Sequence, residues 1–126
     1  MVKCAGQKAG TNSITKLYDG CVLQEKWESV GPPKGTSYNF FDQSDQTWNQ
    51  IWVDNTGFVL NLKGNLIENS MVLKSALQKG EKGAFYHQIT WTPNDDGTVI
   101  QLWETFDEQQ NKTAELFRGT YKKKLN

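Results

Sequence analysis

Residues 11–29 read TNSITKLYDGCVLQEKWES. Asp19-Gly20 stands between two segments of strand-like composition, and an Asp-Gly pair in that position is a strong hairpin signal because it adopts the backbone of a tight turn readily. In the first arm, Thr11 to Tyr18, Ile14 and Tyr18 fall on one side. In the second, Cys21, Leu23, Glu25 and Trp27 share a face and Val22, Gln24, Lys26 and Glu28 share the other, since side chains alternate along a strand. Gly31-Pro32-Pro33 ends the second arm.

The same punctuation continues along the chain. In GTSYNFFD (35–42), Tyr38 and Phe40 oppose Ser37, Asn39 and Phe41. In TWNQIWVD (47–54), Trp48, Gln50, Trp52 and Asp54 alternate with Asn49, Ile51 and Val53, so both faces carry apolar area. Asn55-Thr56-Gly57 turns the chain into FVLNLKG. SMVLKSALQ (70–78) follows no clean helical period and is read as one strand. Residues 79–83 turn into AFYHQITWT, Pro93 to Gly97 into TVIQLWETF, and TAELFRGTYKKK forms a last strand bent at Gly119. Eight or nine strands in series with short connections describe an antiparallel meander. A sheet of that length curls, and closure removes its exposed edges. The expectation is an all-β, up-and-down barrel, with a sandwich as the alternative.

The 126 residues fit a single domain over 1–126 with one core. A hydrophobic share of 37% and a charged share of 22% disfavour both a disordered tail and a membrane protein. Fourteen basic and fourteen acidic residues cancel, so no net field draws nucleic acid or an anionic membrane. No apolar run approaches the length of a spanning helix, and MVKCAGQKAG lacks the core of a secretory signal. The expectation is a soluble protein without a membrane span or a nucleic-acid partner, either cytoplasmic or exported after loss of a signal segment. Cys4 and Cys21 form one disulfide or remain two partly buried thiols. With His87 they fall short of a zinc site, so neither a metal nor a cofactor is expected.

In GTSYNFFD, WNQIWVDNTG, ITWTP and IQLWE, together with NSITKLYDGCVLQEKW and the final FRGTYKKK, the chain resembles a family of small, largely uncharacterised bacterial proteins with a lipocalin-like, or calycin-like, β-barrel. The resemblance implies a barrel with a ligand cavity and brings no catalytic set with it. Set against that pattern, only MVKC precedes AGQKAGTNSI, which implies a missing first strand. The unpaired edge is then covered by a short stave, by the C-terminal strand, or by a second subunit in a homodimer.

The candidate ligand-binding residues are Glu25, Asn39, Gln50, Trp52, Gln101 and Trp103. Facing inward, they make a cavity with aromatic walls and a few directional polar groups, the usual composition of a small-molecule site. The same residues equally form a hydrogen-bonded layer that fixes strand register. Trp27, Trp48, Trp91 and the two candidate tryptophans stack on a planar ligand or simply fill the core. His87, Asp54, Glu25 and Glu104 could move protons, although Asp54 beside Asn55 and Gly57 is also a turn residue. Three functions follow: non-catalytic binding of a small, partly apolar molecule in a barrel cavity; a hydrolase or isomerase using a carboxylate or His87; and an interaction domain with a filled barrel.

Overall fold

The computed structural model describes residues 2–4, 7–32 and 34–122, with side chains from residue 10 onward. Apart from a single turn at Tyr18–Gly20, its regular structure is entirely β. The strands are β1 (Val2–Cys4), β2 (Gln7–Leu17), β3 (Val22–Ser29), β4 (Lys34–Asp42), β5 (Thr47–Asp54), β6 (Val59–Ile67), β7 (Ser70–Lys74), β8 (Gln78–Gly80), β9 (Gly83–Pro93), β10 (Val99–Asp107) and β11 (Lys112–Tyr121). Every pairing is antiparallel.

The alternation seen in the sequence sets the two faces of this sheet. Glu25 is in register with Ser37, Ser37 with Trp52, and Trp52 with Leu60, so these side chains share the concave face. Leu60, Leu62, Leu73 and Ile89 form the buried core, with Trp52, Phe58, Met71, Trp91 and Trp103 packed against it. Gly35 lets the Trp52 indole lie flat against the sheet: a Cβ at Gly35 would stand 2.3 Å from Trp52 Cζ2, well inside van der Waals contact.

The turns share a chemistry. Asp42, Asp45, Asp54 and Asp96 each accept hydrogen bonds from the backbone N–H and the hydroxyl of the Ser or Thr two residues on. A carboxylate that closes such a ring fixes the reversal locally. The first hairpin turns less tightly than a two-residue Asp-Gly loop: Leu17 pairs with Val22, and residues 18–21 make the reversal. Tyr18, Asp19 and Gly20 all have positive φ, at 52°, 60° and 87°. SMVLKSALQ is likewise two strands, because the chain leaves the ladder after Lys74 and rejoins β9 through Gln78.

The expected closed, lipocalin-type barrel is corrected by the seam between β2 and β11. These long strands do not pair with each other, and the curled sheet is an open half-barrel whose edges stand 8 Å apart. Among the described residues only β1 pairs with both, through two register pairs to β11 and three to β2, with a register shift after Val2. Closure requires ladder bonding along the length of every stave, and a three-residue strand cannot provide it between neighbours of 11 and 10 residues. On the inner side of the seam, Trp27 meets Phe117 edge-on at 6.3 Å and Tyr121 at 6.4 Å between ring centroids. Of the coverings expected for that edge, a short stave is present: β1 lies against both β2 and β11. Among the described residues, no helix is long and apolar enough to cross a membrane.

Candidate functional site

The concave face carries the polar residues of the site. Glu25 projects from β3 and is only 7% exposed, Ser37 from β4 is 0% exposed, and Gln50 from β5 is 3% exposed. A buried carboxylate needs donors. Ser37 Oγ donates to Glu25 Oε1 at 2.7 Å and Asn12 Nδ2 to Glu25 Oε2 at 2.7 Å. Ser37 Oγ in turn accepts from Asn39 Nδ2 at 3.0 Å and from Gln50 Nε2 at 3.3 Å. Four side chains thus converge on one carboxylate, two directly and two through Ser37. Two acceptors at the outside of the network, Gln50 Oε1 and Asn12 Oδ1, are buried with no hydrogen-bond partner among the described residues.

Two hollows flank this network. One, of about 310 Å³, is walled by Leu23, Asn39, Trp48, Met71, Leu73 and Trp91, with Ile14 at its margin. The other, of about 100 Å³, lies among Trp27, Trp52, Gln101, Trp103, Phe117 and Tyr121. Glu25 and Gln50 line both. Around the larger hollow, Ile14, Phe41, Trp48 and Leu66 belong to the inward-facing series of their strands yet remain exposed.

Of the six candidates, Glu25, Asn39 and Gln50 are brought into one network, while Trp52, Gln101 and Trp103 stand apart from it. Trp52 Nε1 donates to Asp54 at 3.1 Å, Tyr121 donates its hydroxyl to Gln101 Oε1, and Trp103 Nε1 donates to His87 Nδ1 at 3.0 Å. Ser37 and Asn12 are the members that the sequence did not single out. Their signal was the alternation itself, which puts a small hydroxyl opposite Glu25 and an amide opposite Trp27.

The groups proposed for proton transfer occupy separate places. His87 sits in an aromatic box of Phe58, Phe85 and Trp103, with ring centroids at 6.0, 5.3 and 5.6 Å. Burial holds its pKa below the ordinary 6.5, and the Trp103 bond to Nδ1 leaves the proton of the neutral ring on Nε2. Asp54 accepts from Thr56, Phe58 and Trp52 at the β5–β6 turn, and these bonds, that of the Thr56 hydroxyl foremost, hold its carboxyl below 3.8. Glu104 pairs with Lys112 at 3.1 Å. His87, Asp54 and Glu104 thus stand in three separate places, each engaged in a bond of its own. Cys21 carries a free, exposed thiol, so it is neither bridged nor packed, while the side chain of Cys4 lies outside the described residues. Among the described residues, no group of three His, Cys, Asp or Glu side chains could hold a metal ion.

The open seam also corrects both barrel-based functions: no closed cavity exists to enclose a ligand, and no closed barrel exists to be filled. No family model, no curated protein and no solved structure matches the chain. The resemblance to bacterial calycin-like proteins is corrected by the half-barrel, and the bacterial assignment resting on it goes with it.

Proposed function

We propose that this chain is a recognition module that works from an open trough, holding its ligand along the concave face of the half-barrel rather than inside an enclosed lumen. The observation that carries this reading is Gln50 Oε1, the buried acceptor of a side chain that lines both hollows, to which no described residue donates. Leaving such a group unpaired costs about 1–3 kcal/mol, a penalty that a ligand donor would remove. Glu25, Asn39 and Gln50 supply the polar contacts, Trp52, Gln101 and Trp103 shape the smaller hollow, and the exposed margin at Ile14, Phe41, Trp48 and Leu66 receives the apolar part. The role is non-catalytic, a reading supported by the separate engagement of His87, Asp54 and Glu104 in structural bonds.

Native mass spectrometry of gently purified protein, before and after denaturing extraction, tests this directly. The expected result is a stoichiometric non-covalent adduct, lost in Gln50→Met and retained in Tyr38→Ser, a change on the convex face. Apo protein under every gentle condition, or an adduct indifferent to Gln50, would overturn the proposal.

A further inference from the structure

The side-chain donors of the network run toward Glu25, with Asn39 Nδ2 also reaching the Leu23 carbonyl at 3.5 Å. The single hydroxyl proton of Ser37 is given to Glu25 Oε1, so Ser37 Oγ can only accept from Asn39 and Gln50. Reversing the Gln50 amide would set oxygen against oxygen at Ser37, and reversing the Asn12 amide would do the same at Glu25 Oε2. The orientations are therefore forced, and they leave Gln50 Oε1 and Asn12 Oδ1 as bare acceptors. Among the described residues Glu25 forms no ion pair: the salt bridges join Lys63 to Asp45, Lys112 to Glu104 and Glu115, and Arg118 to Glu115. A carboxylate taken out of water with donors but no counter-charge favours a cation nearby.

We infer, resting on the trough reading above, that the ligand is an organic cation: a primary ammonium group with N–H donors, carried on an apolar body. The ammonium donates to Gln50 Oε1 and neutralises the field of Glu25, and its flank lies against the rings of Trp48 and Trp91, whose faces attract cations. The apolar body fills the larger hollow, whose volume of about 310 Å³ is bounded by Leu23, Met71 and Leu73. An anion or a ligand bearing only acceptors meets unpaired oxygen on the wall and gains nothing there.

The probes are octylammonium, octyltrimethylammonium, octanol and octanoate, each below its aggregation limit, titrated calorimetrically into the full chain. Octylammonium is expected to bind at least tenfold more tightly than the other three, since the trimethyl head keeps the charge but lacks donors. Gln50→Met should weaken it about fivefold or more, and Glu25→Gln should abolish the preference for ammonium over octanol. Near-UV circular dichroism establishes that each variant is folded, and Gln50→Met alone decides the matter if Glu25→Gln is not. Octanol or octanoate binding as tightly, with the binding still lost in Gln50→Met, overturns the cation class and leaves the trough standing. Equal binding of the trimethyl ion overturns the donor requirement. Octylammonium binding unchanged by both variants, or no binding of any probe to millimolar concentration, overturns the inference and the trough reading together.

Discussion

Two regions of the same concave face solve the burial problem in opposite ways. Across β6, β7 and β9 the buried inward side chains include Leu60, Leu62, Leu73 and Ile89, and a titratable group beside them, His87, is boxed by rings and hydrogen-bonded to Trp103. Across β2 to β5 the inward series includes Asn12, Glu25, Ser37 and Gln50, a network with two acceptors left over. The first region is complete by itself. The second holds a carboxylate and two bare oxygens at a cost that its own residues do not recover, which is the pattern of a surface kept for something outside the chain.

The largest difference between the regions should appear on truncation. Trp52→Ala removes an indole packed over Gly35 and against the core, and is expected to cost about 3–5 kcal/mol by urea denaturation. Leu62→Ala, in the completed region, should cost about 2–5 kcal/mol. An unchanged midpoint in Leu62→Ala would mean that the hydrophobic half is looser than its burial implies, and one in Trp52→Ala that the indole on β5 adds nothing to the core.

A smaller effect separates the regions by pH. At and above neutral pH, His87 is uncharged in the folded and unfolded chains alike and contributes no difference. Below its ordinary value of 6.5 the unfolded chain takes up a proton that the buried ring accepts only at lower pH, so stability falls from there down to the depressed folded value. Asp54 acts in a lower window: its depressed pKa contributes stability above 3.8 that is lost as pH falls below it. Thermal midpoints between pH 7.5 and 5 should decline in the wild type and decline less in His87→Asn, which keeps an acceptor for Trp103. An equal slope in that variant would place the titration elsewhere.

The meander was legible because alternation and turns are local. Trp48, Gln50 and Trp52 announced their shared face, and Asp54 with Asn55 and Gly57 announced the turn after it. Closure was not legible, because it depends on whether β1 can run beside β2 and β11, a long-range matter that three residues decide. Half of the candidate site could be read from residue type and phase, as with Glu25, Asn39 and Gln50. Ser37 and Asn12 escaped because a serine or asparagine gains significance only from what stands opposite, and cross-strand register is not written in either segment alone. Trp103 was drawn toward a ligand role by its chemistry, whereas its indole N–H is committed to His87.

The smallest expected change in stability is also the most telling. Gln50→Met keeps the length of the side chain, removes the bare acceptor and gives up one hydrogen bond of 3.3 Å to Ser37, whose oxygen retains Asn39. Urea denaturation of Gln50→Met beside Leu62→Ala and the wild type therefore measures whether the polar half is held ready for a ligand or is part of the scaffold. A midpoint for Gln50→Met at or above that of the wild type, with Leu62→Ala well below, is the outcome expected of an unpaired group maintained for binding. A fall as large as that of Leu62→Ala would show that Gln50 belongs to a finished core, and would contradict the trough.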